Sequence, residues 1–188
     1  TKYLTKVAIL SAVAAVVMFL ETPLPFMPPF LKLDLSDIPA LIGTFALGPV
    51  AGIFIELIKN LIHVTMTQTG GSGELANFLV GIAFVVPAGV VYKYKKSFSG
   101  AIIGLVAGTV LMAVVSCAAN YWITIPFYTA AGFPFAEIIN TCKEVNPYIT
   151  DMKSLIVFGF LPFNIIKAII ISILTLLLYK RISPILHR

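Results

Sequence analysis

Apolar residues run almost unbroken along most of the chain, and polar residues are confined to a few short breaks. A bilayer core of about 30 Å is crossed by roughly 20 helical residues rising about 1.5 Å each. The pattern predicts six such segments, at residues 3–20, 38–47, 49–66, 75–92, 101–119 and 155–179. The first also has the form of a secretory signal, with Lys2 and Lys6 ahead of an apolar run. Glu21-Thr22-Pro23 offers no small-residue cleavage site, so a retained helix is expected. The second segment is short: as a helix it reaches about 15 Å, half the bilayer core. Gly48-Pro49 is a turn signal between the second and third segments. They form either a short span plus a full one or a partly re-entrant hairpin, and both return the chain to the same side. The expected fold is an all-α integral membrane protein of six transmembrane helices, the second one short, forming a single polytopic domain over 1–188.

Composition sharpens this. The chain is 59% hydrophobic and 11% charged, against about 45–50% and about 25% in an ordinary soluble domain. That much apolar surface must face lipid, which excludes a soluble enzyme, a nucleic-acid binder and a disordered chain. The net charge of +5 reads as membrane topology, because the basic residues sit at the breaks. Lys2 and Lys6 precede the first segment, Lys93, Lys95 and Lys96 follow the fourth, and Lys180, Arg181 and Arg188 follow the sixth. An N-in/C-in arrangement puts all of these on the cytoplasmic side. The opposite side then carries Lys32, Lys143 and Lys153 with Glu21, Asp34, Asp37, Glu74, Glu137, Glu144 and Asp151. The outer connections, 21–36 with Pro23, Pro25, Pro28 and Pro29, and 126–150, are long enough to fold back over the bundle.

Polar groups inside a membrane are costly and mark candidate sites. Asn164 and Lys167 are three residues apart, on one helical face in the outer part of segment six. They could be a helix-packing pair, or Lys167 could snorkel outward; a lysine so far from the inner end, beside an asparagine, favours a ligand role. Segment five ends at Asn120-Tyr121-Trp122, where an interfacial aromatic belt explains Trp122 but not Asn120. Segment four opens with Glu74 and Asn77; Ser72 as N-cap and Glu74 near the helix terminus account for all but Asn77. Asn77, Asn120, Asn164 and Lys167 thus share the outer third, roofed by the connection carrying Asp34. Amides, one cation and nearby aromatic rings suit an uncharged or weakly acidic planar heterocycle. In segment three, Glu56, Lys59, Asn60 and His63 form a stripe that serves equally as a proton pathway or a neutralised structural pair. Small residues at helix-contact spacing occur at Ala8 and Ala12, with Ser11 and Ala15 on the same side, and at Gly100, Gly104 and Gly108.

Other motifs exclude more than they suggest. Gly70-Gly71-Ser72-Gly73 matches the G-x-S-G of rhomboid intramembrane proteases, but the only later histidine, His187, is expected at the opposite face. A glycine turn explains it better. The chain has no H-E-x-x-H, and its two histidines and two cysteines are too scattered for a metal cage. Cys117 and Cys142 both fall near the outer face, where they could pair. No G-x-x-x-x-G-K-[ST] is present, so uphill uptake would draw on a partner or an ion gradient.

The stretch Lys32-Leu33-Asp34-Leu35-Ser36-Asp37-Ile38-Pro39, continuing through Gly48-Pro49-Val50-Ala51-Gly52 to Ile58-Lys59-Asn60-Leu61, resembles the signature of substrate-binding S components of energy-coupling factor (ECF) vitamin transporters, nearest the riboflavin-specific ones. The resemblance covers nearly the whole chain: its size, its six segments with a short second helix and its long first outer loop. It implies a riboflavin-binding membrane subunit of an ATP-driven importer in a bacterial plasma membrane, without catalysis or cofactor of its own. The vitamin would sit between the first outer loop, with Leu33 and Asp34, and the outer halves of segments four to six, with Asn77, Asn120, Tyr121, Asn164 and Lys167. Partners would be one integral T component and two cytoplasmic ATPases, docked through an A-x-x-x-A motif that maps onto Ala8 and Ala12. The alternatives are a proton-coupled secondary carrier using Glu56 and His63, and an intramembrane protease using Ser72.

Overall fold

The computed structural model describes residues 2–67 and 69–186, with side chains described through residue 179. His187 and Arg188, and the side chains of Lys180 and Arg181, lie outside the described residues. Helix α1 (Lys2–Met18) leads into a connection whose strands β1 (Thr22–Pro23) and β2 (Lys32–Leu33) pair antiparallel, Thr22 opposite Leu33. Next come α2 (Asp37–Leu47), α3 (Pro49–His63) with a 3-10 turn Val64–Met66, α4 (Ser72–Tyr94) and α5 (Phe98–Ala119). A π turn Asn120–Thr124 carries α5 into α6 (Ile125–Ala130), followed by α7 (Phe135–Val145) and α8 (Met152–Leu155). A second π turn, Ile156–Phe160, opens the long α9 (Leu161–Leu186).

Four stretches among the described residues are long and apolar enough to cross a membrane: Pro49–Met66, Ser72–Tyr94, Phe98–Ala130 and Met152–Tyr179. The six expected segments all appear as helices, but α1 has 17 residues and α2 has 11, short of the roughly 20 an upright span needs. The turn between α2 and α3 depends on Gly48, whose φ of 101° is open to glycine alone without strain. Its N–H caps α2 at Thr44 O, 2.9 Å away, and Pro49 then starts α3, where its missing N–H costs nothing.

Small residues set the helix spacing in the lower half of the bundle. A Cβ at Gly104 would fall 2.6 Å from the carbonyl oxygen of Ala88, and one at Gly108 2.9 Å from the Phe84 ring. The glycine stripe of α5 is therefore an internal contact with α4. The small stripe of α1 divides, in contrast to its reading as one surface. Ser11 and Ala15 are buried, while Ala8 and Ala12, on the adjoining edge of that face, are exposed. Ser11 satisfies its hydroxyl on Val7 O, 2.8 Å away.

The upper half is held differently. The fifth segment does not stop at Ala119 but continues to Ala130. Proline lacks an N–H and its ring clashes with the carbonyl four residues back. Pro126 and Pro162 each follow a π turn containing that carbonyl, of Trp122 and Phe158, and the widened turn relieves the clash. The connection 126–150 is largely helical: amphipathic α7 buries Ile139 and Cys142 against Met27 and Leu31 of the β1–β2 connection. Cys117 and Cys142 are free thiols, so the pairing open from sequence is not made.

Gly104→Leu is expected to lower bundle stability by about 1–3 kcal/mol through overpacking against Ala88. The unfolding midpoint in detergent measures this; a midpoint equal to wild type would mean the α4–α5 contact is loose.

Candidate ligand-binding site

Under the β1–β2 connection lies a cavity of about 940 Å³, within the 300–1,000 Å³ range of small-molecule sites. Its roof is built by two local turns, with Met27 N–H donating to Leu24 O at 3.1 Å and Leu31 N–H to Pro28 O at 2.8 Å. Phe30, Leu31, Lys32 and Asp34 line the cavity, and Leu33 does not.

The floor is an ion network. Lys167 of α9 donates to Asp34 Oδ2 at 2.7 Å and lies 3.4 Å from Asp37 Oδ2. Lys59 of α3 donates to Ser36 Oγ at 2.8 Å and is paired with Asp37; Ser36 in turn donates its N–H to Asp34 Oδ1 at 3.0 Å and bonds it again through its hydroxyl. Asp34, Ser36, Asp37, Lys59 and Lys167 are all buried. Burial alone would raise the carboxyl pKa of Asp34, but the Lys167 and Lys59 ammoniums, with hydrogen bonds from Lys167 and Ser36, hold it well below the ordinary carboxylate range. The glutamate–lysine–histidine stripe of α3 is divided between partners. Lys59 Nζ lies 2.9 Å from Glu56 Oε2, whereas His63 turns to Glu74 of α4 at 2.9 Å and stacks on Phe19 with ring centroids 5.2 Å apart.

The walls combine amides with rings. Asn120 and Asn164 each donate to the carbonyl four residues back, at 2.8 Å, which fixes their rotamers. Asn77 and Thr124 line the cavity with their side-chain oxygens buried and unpartnered. Phe30, Phe127, Phe160 and Phe163 supply flat apolar surface. An unpaired buried acceptor costs free energy, so the site is suited to a flat ligand presenting donors at its edges.

Of the residues expected from sequence, the structure brings Asp34, Asn77, Asn120, Asn164 and Lys167 together around the cavity. Tyr121 is apart from it: with Asn120 turned inward, its neighbour points out and is 43% exposed, in edge contact with Trp122. Leu33 is likewise outside the cavity lining. Ser72 does not cap α4; Gly71 holds that place at φ 89°, and the Ser72 hydroxyl donates to Thr69 O. Glu74 accepts from Thr67 and Thr69 at 2.8 and 2.9 Å in addition to His63. The sequence reading missed Thr124, one turn beyond Asn120, and the cavity role of Lys32, His63 and Glu74. Thr124 was hidden because the helix was expected to end before it.

Residues 2–179 match the family described as ECF transporter, substrate-specific component. The chain is 42% identical over 187 residues to the riboflavin transporter RibU of Staphylococcus aureus (strain TCH60), covering 100% of this chain and 93% of the relative. It is 35% identical over 188 residues to the riboflavin transporter FmnP of Bacillus subtilis (strain 168), covering 97% and 93%. A solved S component of a bacterial ECF transporter superimposes with a TM-score of 0.80 at 40% identity, covering 100% of this chain and 98% of that one.

Removing Lys167 would strand Asp34, whose ion-pair partner it is, in a buried site. Lys167→Met is expected to destabilise the ligand-free protein by about 3–5 kcal/mol, and Asp34→Leu added to it to restore part of the loss. Unfolding in detergent without ligand measures both, and additive losses would show the pair uncoupled.

Proposed function

The chain belongs to the family of ECF transporter substrate-specific components, and on that premise we propose that it captures riboflavin for an ATP-driven importer. Family membership makes it a non-catalytic substrate-binding subunit and a multi-pass protein of a bacterial plasma membrane, working within an ECF complex. The observation that carries the reading is the cavity itself, where Asn120, Asn164 and Lys167 face phenyl rings. An isoalloxazine ring system presents carbonyl oxygens and an imide N–H on its edges and a flat surface for the rings. Lys167 and Asn164 then serve one edge, Asn120 and Asn77 another, and Asp34 acts chiefly by holding Lys167. Leu33 and Tyr121 are not part of this site.

In this reading the chain inserts six helices with both termini inside, and the cavity with its β1–β2 roof opens on the extracellular side. The positions of Lys2, Lys6, Lys93, Lys95 and Lys96 at the opposite end support this. The importer's other parts are an integral T component and two cytoplasmic ATPases, which supply the nucleotide site this sequence lacks. Ala8 and Ala12, exposed on α1, form the smooth patch against which a T-component helix packs closely.

Lys167→Ala or Asn164→Ala is expected to weaken riboflavin binding by about 1–3 kcal/mol, roughly 5- to 150-fold. Titration by quenching of the sole tryptophan, Trp122, gives the affinity, and wild-type affinity in both variants would remove α9 from the site. Protein that purifies without a yellow flavin and binds none would end the riboflavin reading. For docking, Ala8→Trp or Ala12→Trp is expected to keep flavin binding and lose copurification with the T component. Ala14→Trp, at a fully buried position, is expected to impair folding instead. Normal ATP-dependent uptake in the Ala8 and Ala12 variants would remove the docking role.

A further inference from the structure

The interface between α3 and α4 carries a line of polar groups that flavin capture does not use. Glu56 lies against Gly81, where a Cβ would fall 2.6 Å from its Cδ. One turn toward the cavity on each antiparallel helix are Asn60 and Asn77. One turn further, His63 and Glu74 are in contact at 2.9 Å and line the cavity. Between these two contacts Glu56 Oε2 faces only Lys59 Nζ, 2.9 Å away on its own helix, while Glu56 Oε1, Asn60 Oδ1 and Asn77 Oδ1 are buried and unpartnered. Asn60 has already committed an N–H to Glu56 O at 2.8 Å. Three acceptors therefore share a buried seam with no side-chain donor assigned to any of them.

The charge count points the same way. Asp34, Asp37 and Glu56 share the buried network with only Lys59 and Lys167. Fully ionised, the set leaves one uncompensated negative charge at membrane depth, which costs several kcal/mol in a low-dielectric interior. Asp34 and Asp37 each have a lysine at hydrogen-bond distance, and Lys59 already serves Ser36 and Asp37. Glu56 shares that same Lys59, 2.9 Å away, as its third contact, and its Oε1 faces no donor, so Glu56 is the carboxyl least compensated. The groups facing it are Lys59 on its own helix, Asp37 from α2, and from α4 the neutral Gly81 and Asn77 with Glu74 beyond; Asp34 and Lys167 complete the set behind Asp37.

We propose that the α3–α4 seam is a proton-binding site, in which Glu56 carries a proton and donates it in a hydrogen bond to one of the unpartnered amide oxygens of Asn60 and Asn77. The proton supplies the missing donor and brings the buried set to neutrality, two ammoniums against two carboxylates. It leaves Lys59 committed to Asp37 and Ser36, and so fixes the cavity floor through Asp34 and Lys167. Gly81 gives the neutral carboxyl its room.

Infrared spectroscopy of the full chain in detergent, without flavin, tests this directly. In protein labelled with 13C-glutamate at neutral pH, a carboxylic acid C=O stretch is expected that moves with glutamate labelling and not with aspartate labelling. It should vanish in Glu56→Gln and shift in D2O. Should Glu56→Gln fail to accumulate, Gly81→Ala serves instead, because its Cβ presses on the carboxyl and must move the band. A labelled spectrum without that band, or a band untouched by either substitution, overturns the proposal. Because no flavin is present, a failure here leaves the riboflavin reading standing, and a failure of that reading leaves the infrared result intact.

Discussion

The ion pair of Lys167 with Asp34, backed by Lys59 on Asp37 and Ser36, ties together parts of the chain that nothing else aligns so closely. Asp34 belongs to an irregular connection, Asp37 to the first turn of α2, Lys59 to the middle of α3 and Lys167 to α9. Apolar packing is non-directional, and in lipid it gives helices little reason to choose one register over another. Charges buried together are directional and tolerate small misplacement poorly, because a charge left alone costs far more than the pair gains. The network therefore fixes where the β1–β2 connection closes on the bundle. The cavity, its roof and the position of Lys167 within it all follow from that closure.

The two halves of the bundle use backbone in opposite ways. Near the opposite end, Gly104 and Gly108 let α5 lie against the backbone of α4, and Phe45, Tyr92 and Tyr179 fill the remaining space with tilted and edge-on ring contacts. Near the roof, Pro126 and Pro162 widen the helices into π turns, and α7 and the connection cover the opening with a second apolar cluster. A tight half and a splayed half leave the cavity beneath the β1–β2 connection. Within this family, crossing the membrane is a task of the assembled complex, consistent with a chain that carries no nucleotide-binding motif.

Much of this was legible in the sequence. The apolar runs, at 59% hydrophobic composition, determined an all-α membrane protein, and hydrophobic length located the main helices, although the fifth runs on past its expected end at Ala119 to Ala130. Spacing placed Asn164 and Lys167 on one face, and the motif from Lys32 to Leu61 pointed to the family. Where local rules sufficed, as at Gly48-Pro49 or the Gly70-Gly71 turn, the backbone followed them.

What the tertiary structure decided were the relations between distant residues. No periodicity says that Lys167 meets Asp34 across 133 positions of chain, or that Lys59 reaches Asp37 of α2 as well as Glu56 on its own helix. The inward turn of Asn120 and the outward turn of Tyr121 depend on the packing of a π turn that proline permits but does not aim. Ala8 and Ala12 parted from Ser11 and Ala15 for a related reason: spacing fixes which residues share a face, while the neighbours present in three dimensions decide which face is buried. A sequence carries local geometry and hydrophobic period directly, but the pairing of buried charges is a property of the closed bundle, where the low dielectric makes one partner worth far more than another.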